Sequence, residues 1–264
     1  MKARMNMTVA AAARLADDVY STVFRLPEGD FPAVIPGQFV GVYPHDRSAL
    51  LPRPISICRA DPGECTLRLV YRAVGKGTGE LAAAQPGESF SVLGILGNGY
   101  DLNALRGKNV LLLGGGIGIP PLLELAAALK AREPERRVTA ALGYRTARLF
   151  LAEEFEKTAD AVLIATEDGS AGERGNVLDA VRAAAPVFDA VCACGPLPML
   201  RGVKRFAQEA GAPCYLSLEE RMACGVGVCL GCVAKTTHKD EHSQVNNARI
   251  CTEGPVFEAS EVEI

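Results

Sequence analysis

The chain has no tryptophan, only three histidines, and no basic run interleaved with aromatic residues among its 264 positions. Its formal net charge of −3 gives no electrostatic reason to expect nucleic acid or an anionic membrane surface as partner. An apolar export segment is missing too: Val9 to Ala13 is short, and Arg14 and Asp17 follow at once. The expected compartment is therefore the reducing cytoplasm, where cysteines stay free. One long hydrophobic run occurs, Val110 to Leu129, but Gly114-Gly115-Gly116 and Pro120-Pro121 interrupt it and Glu124 follows them. A strand, a turn and a helix account for it better than a membrane span. The histidines, His45, His238 and His242, are expected on loops or at the surface rather than in catalysis. No internal repeat and no low-complexity tract is present.

Cysteine, by contrast, is abundant. Four of the nine cysteines form Cys224-x4-Cys229-x2-Cys232, followed after eighteen residues by Cys251. That spacing matches the plant-type pattern in which four thiolates hold a [2Fe–2S] cluster. Gly225, Gly227 and Gly231 suit a loop that turns backbone N–H groups inward, since glycine reaches positive φ without a Cβ clash. Structural zinc is the plainer alternative, but it usually pairs cysteines at both ends of a site. A disulfide knot is the other, and the absence of an export signal weighs against it.

Pro and Gly punctuate the first hundred residues into short β-rich stretches. These are Thr22–Leu26, Gln38–Tyr43, Ile55–Cys58, Thr66–Tyr71 and Ser89–Leu93, with turns at Pro36-Gly37 and Pro86-Gly87. A sandwich or a small barrel follows. Near Leu105 the pattern changes to alternation. Strands are expected at Val110–Leu113, Arg137–Tyr144, Ala161–Thr166 and Ala190–Cys194, with helices at Pro120–Arg132, Leu151–Thr158, Val177–Ala184 and Leu197–Ala210. That is the signature of a parallel sheet covered by helices. Cys214–Leu218 could add a last strand ahead of the cysteine segment.

Several motifs carry phosphate chemistry. In Arg53-Pro54-Ile55-Ser56 the arginine can fork two donors onto a phosphate, and alternation is expected to bring the Ser56 hydroxyl to the same face. Alone this tetrapeptide is equally an edge strand with a salt bridge. Val70-Tyr71-Arg72 ends a strand, and Gly75-Lys76-Gly77-Thr78 then opens a short helix whose first amides suit phosphate; an ordinary turn with a Thr N-cap is the alternative. Gly114-Gly115-Gly116-Ile117-Gly118-Ile119-Pro120-Pro121 follows a buried strand and opens a helix, the context a dinucleotide pyrophosphate needs. Glu167 and Asp168 close a later strand at the same carboxyl edge, where they would disfavour a 2′-phosphate and so favour NADH over NADPH. Arg145 and Arg148 stand nearby and temper that expectation. Cys194-Gly195-Pro196 ends another strand at this edge.

Taken in order, these motifs resemble the ferredoxin–NADP reductase superfamily from about Met5 to Leu218. Leu218 to Cys232, with Ile250 to Phe257, narrows the resemblance to the electron-transfer subunits of dihydroorotate dehydrogenase B. The resemblance implies an antiparallel FAD-binding β-barrel (1–104), an NAD-binding α/β parallel-sheet domain (105–212) and a small C-terminal [2Fe-2S] domain (213–264). It further implies that Arg53, Ser56, Tyr71, Arg72, Gly77 and Thr78 hold FAD, and that Gly115, Gly116, Gly118 and Cys194-Gly195-Pro196 meet NAD. Cys224, Cys229, Cys232 and Cys251 would hold the cluster. The implied activity passes electrons between NAD and an FMN-containing dihydroorotate dehydrogenase catalytic subunit, two of each in a heterotetramer serving pyrimidine biosynthesis. The other assignment is an NAD-linked flavin/iron–sulfur subunit of a ferredoxin- or sulfide-linked oxidoreductase. Many superfamily members end in an aromatic residue over the flavin, whereas this chain ends in Glu-Val-Glu-Ile.

Overall fold

A computed structural model describes residues 3–27, 29, 31–239 and 244–264; His242 lies outside the described residues. Six strands close an antiparallel barrel in the order β1-β2-β5-β4-β3-β6. They are β1 (Ala3–Arg14), β2 (Val19–Arg25), β3 (Phe39–Tyr43), β4 (Arg53–Asp61), β5 (Thr66–Arg72) and β6 (Ser89–Leu96), with helix α1 (Lys76–Ala83) between the last two. Period-two burial explains them: in β6, Phe90, Val92, Gly94 and Leu96 are buried while their neighbours are not. Closure leaves no free strand edge. Strand β1 was not marked by the β-branched and aromatic stretches. Its run Ala10–Ala13 has weak strand propensity, and antiparallel pairing of Ala11–Ala13 with Ser21–Val23 of β2 overrides it.

The second unit is a seven-stranded sheet in the order β10-β9-β8-β7-β11-β12-β15. Its strands are β7 (Val110–Gly115), β8 (Val138–Tyr144), β9 (Ala161–Thr166), β10 (Glu173–Arg174), β11 (Ala190–Cys194), β12 (Cys214–Ser217) and β15 (Val256–Glu258). All pair in parallel except β15, which runs antiparallel to β12. The helices are α2 (Ile119–Arg132), α3 (Ala152–Glu156), α4 (Val177–Ala184) and α5 (Leu197–Glu209). All six residues of β7 are buried, as a central strand covered on both faces requires. The expected boundary at 212 falls ahead of β12, a strand integral to this sheet. Only after Leu218 does the chain leave it, form the cysteine loop and the hairpin β13 (Val233–Lys235) and β14 (Asn247–Arg249), and return as β15.

Nothing separates these units into independent bodies. Val19, Cys58 and Val70 of the barrel share one core with Leu112, Leu122 and Leu125. Phe39 and Leu96 of the barrel share another with Cys232, Ile250, Cys251 and Phe257. Polar groups trapped between the units are matched. Glu124 of α2 accepts from Ala60 N at 3.1 Å, and Arg68 reaches Glu154 at 2.6 Å. Tyr100, fully buried, donates its hydroxyl to the Ala193 carbonyl at 3.1 Å. Among the described residues no helix is long and apolar enough to cross a membrane.

Candidate functional site

A cleft of about 700 Å³ opens between the barrel and the carboxyl edge of the sheet. Gly115, Gly116, Gly118, Gly195 and Pro196 line it from the sheet side. Here the turn after β7 meets the turn after β11. A Cβ on Gly118 would stand 2.4 Å from the Cys194 carbonyl, so only glycine lets these two loops touch. Gly116 takes φ +53° in the 3-10 turn 116–118 that leads into α2. Cys194 itself is buried, and burial pushes its thiol far up, so it stays neutral. Glu167, Arg145, Thr146 and Arg148 gather at the same cleft. Asp168 does not line it: its carboxylate turns back to accept from Ser170 Oγ at 2.6 Å and Ser170 N at 3.0 Å, which hold it below its ordinary value.

The barrel contributes Ala16, Asp17, Asp18, Val19 and Arg72 to the cleft. Arg72 Nε stands 2.8 Å from Asp18 Oδ2, and Arg148 pairs with Asp17, tying the barrel turn to the α/β unit. Further along, Arg53 lies over the start of α1. A Cβ at Gly77 would come within 2.6 Å of Arg53 Nε, so the glycine makes room for the guanidinium. Thr78 sits at the third helical position rather than at the N-cap, where its hydroxyl accepts from Val74 N and Gly75 N at 3.0 and 3.2 Å. No acidic residue occupies this first turn, so the helix N-terminus and Arg53 present positive charge together.

One geometric expectation is corrected. Ser56 is three positions from Arg53, so the two stand on opposite sides of β4. Ile55 and Arg53 face Val40 and Val42, whereas Ser56 faces Phe39. Strand periodicity is two, and an odd separation reverses the face. The Tyr71 ring is in the barrel core, hydrogen-bonded to Thr22 Oγ1 at 2.9 Å, and burial pushes its phenol up to about 12; Val70 faces the other way, into the core shared with α2.

The cysteines come together in pairs. Cys224 Sγ accepts from Val226 N at 3.4 Å and Cys229 N at 3.5 Å. Burial opposes ionisation of Cys224, but these amides outweigh it and bring the thiol down to about 6. Cys251 neighbours Cys232; burial and then that thiol push it up to about 11, against the Gly227 N–H. Among the described residues no three His, Cys, Asp or Glu side chains surround one metal position. Pairwise grouping suits a two-iron cluster, whose four thiolates divide between two metals. Gly225 and Gly227 take φ +69° and +87° as the inward-turned amides require. Gly231 does not; Leu230 adopts φ +55° instead. Thr252, next to Cys251, has a buried hydroxyl without a hydrogen-bond partner among the described residues.

Residues 219–263 match the family model described as the iron–sulfur cluster binding domain of dihydroorotate dehydrogenase B. Across 270 aligned residues, 99% of each chain, the sequence is 44% identical to the dihydroorotate dehydrogenase B (NAD(+)) electron transfer subunit of Bacillus caldolyticus. The Fusobacterium nucleatum subunit of the same name is 39% identical over 97% of each chain. The chain belongs to this family. A solved structure of the NADH-dependent reduced ferredoxin–NADP oxidoreductase superposes with TM-score 0.83 at 31% identity, over 97% of this chain and 89% of that one. The motifs gather at two places, the glycine-lined cleft and the cysteine loop. Sequence reasoning missed Asp17, Asp18, Asn176, Met199 and Glu219, all of which line the cleft. Asn176 alone had a local signal, as the N-cap of α4. Glu219 is open to the cleft but flanked by protein, and desolvation pushes its carboxyl up.

The Cys224 geometry has a measurable consequence. In cluster-free protein, alkylation of Cys224 should rise with pH through about 6 and be largely complete by neutral pH. Peptide mapping after timed iodoacetamide exposure checks this; a Cys224 profile rising only above about pH 8, near a free thiol, would contradict it.

Proposed function

We propose that this chain is the NAD-linked relay of a two-part dihydroorotate dehydrogenase. When bound, FAD exchanges a hydride with nicotinamide, and a [2Fe–2S] cluster carries single electrons onward. The observation that carries the reading is a cleft lined by glycine turns and a paired-thiol loop, each packed on a core that barrel residues help to fill. Arg53 and the α1 N-terminus would neutralise flavin phosphate, while Gly115, Gly116 and Gly118 bring backbone up to a nucleotide. Cys224 with Cys229, and Cys232 with Cys251, would each take one iron. Neither described histidine lines the cleft. His45 is held by Glu80 and the Ser89 carbonyl. Oxidation of dihydroorotate is therefore assigned to a partner.

The partner is an FMN-containing subunit, two copies of each chain assembling together. Val228 and Leu230 flank Cys229 and are 80% and 62% exposed, an apolar rim beside a redox centre. Val226 instead packs partly into the core beneath. Likeness to a ferredoxin-linked oxidoreductase supports a second reading, in which the donor is a ferredoxin-type protein.

Four measurements test the proposal. The isolated chain should reduce ferricyanide with NADH but leave dihydroorotate untouched until an FMN subunit is added. Val228→Glu or Leu230→Glu should weaken that assembly at least about tenfold, 1.4 kcal/mol, with dye turnover retained. Partner binding as in wild type would move the docking face elsewhere, and dihydroorotate oxidation by the chain alone would overturn the subunit assignment. Arg53→Ala should weaken FAD binding by about 1.5–3 kcal/mol through loss of a charge-assisted contact, read by equilibrium dialysis; unchanged affinity would displace the flavin site. NADH should exceed NADPH in kcat/KM, and Glu167→Ala should narrow the gap by about 1 kcal/mol, one close charge pair in water. Equal specificity for the two nucleotides in wild type would refute that role for Glu167.

A further inference from the structure

Thr252 follows Cys251 directly, and its hydroxyl is closed off from solvent with no hydrogen-bond partner among the described residues. Such an orphan is unfavourable: leaving a buried hydroxyl unpaired costs free energy that a pairing would recover. The residue has its backbone N–H committed to the Arg249 carbonyl at 3.1 Å, which fixes where the side chain points. Its methyl group lies 2.9 Å and its hydroxyl oxygen 3.3 Å from the position a Cβ would take on Gly227. Gly227 belongs to the loop whose amides surround the thiols: Val226 N and Cys229 N face Cys224 Sγ, and the Gly227 N–H acts on Cys251. The Thr252 hydroxyl therefore stands beside the loop whose donors face the cysteines, and it is a donor with no protein acceptor among the described residues, cysteine sulfurs included.

We propose that Thr252 is a potential-setting residue, donating its hydroxyl to a sulfur of the iron–sulfur cluster. The inference rests on the cluster assignment above. One-electron reduction adds negative charge that spreads onto the sulfurs, with no proton taken up and no bond broken. An O–H···S contact is stronger to the more electron-rich state, so it stabilises the reduced cluster and raises its midpoint potential. Thr252 touches neither nucleotide nor partner in this scheme; it acts through the cluster alone.

The test is an EPR-monitored redox titration of the FAD- and cluster-loaded chain, with iron and acid-labile sulfide measured on every sample. Thr252→Val keeps the shape and deletes the donor. It should lower the midpoint by about tenfold in the reduction equilibrium, which for one electron is about 59 mV. Thr252→Ser keeps the donor and should titrate with wild type. Should Thr252→Val fail to take up iron, Thr252→Ala removes the hydroxyl with less bulk against Gly227, and the same drop is expected. A fully loaded Val or Ala variant with the wild-type midpoint would overturn the role of Thr252 and leave the cluster assignment standing. Wild-type protein prepared anaerobically without iron and sulfide would overturn both.

Discussion

Electron transfer over a chain of cofactors depends on distance, so the constraint behind this molecule is that its stations cannot drift apart. Apolar continuity supplies it. Phe39 and Leu96, both barrel residues, are buried in the same cluster as Cys232 and Cys251. Val19 and Val70 are buried with the strands and helix that carry the glycine turn. Each unit thus completes its core with side chains from another. Separating any pair would expose apolar surface at roughly 25 cal/mol per Å², which makes hinge motion between them costly.

Polar matching across these seams sets the orientation that apolar packing alone would leave loose. Glu124 is pushed up by burial yet held by the Ala60 amide, with Arg59 nearby. Arg68 is shared between Ser21 of the barrel and Glu154 of α3. A partly buried pair of this kind adds modest net stability because desolvation offsets attraction, but breaking one partner leaves the other charge stranded. The cleft is bordered by two further pairs, Arg72 with Asp18 and Arg148 with Asp17. A nucleotide entering there meets arginines already engaged with carboxylates, so its phosphates compete with existing contacts.

Much of this was legible from residue patterns. The short loop lets Cys224 and Cys229 meet as their spacing suggests, whereas Cys232 meets Cys251 through the β13–β14 hairpin and the Ile250 N–H donated to the Cys232 carbonyl at 2.8 Å. The glycine turn after β7 was readable because no other residue tolerates a neighbour at 2.4 Å. Other features had no local signal. Ala10–Ala13 became strand through pairing with β2. Asp17 and Asp18 line the cleft only because the barrel packs against the sheet, a relation set by residues far apart in the chain. Ser56 was assigned to the wrong face because it stands an odd three positions from Arg53, which reverses its side of the strand. Leu230 takes the left-handed backbone that its neighbour Gly231 would have adopted more easily, and nothing in composition marks that exchange.

The cysteine segment leaves the sheet after β12 and rejoins it as β15, the strand hydrogen-bonded to β12 in antiparallel fashion. Departure and return are therefore separated by one inter-strand spacing, about 4.8 Å. Topologically the whole segment is an elaborated hairpin connection. A two-residue turn could close the same strands without disturbing the order of the other five in the sheet. The cluster unit is in this sense a detour between two paired strands, and a chain that shed it would need new side chains to cover Phe39 and Leu96 of the barrel.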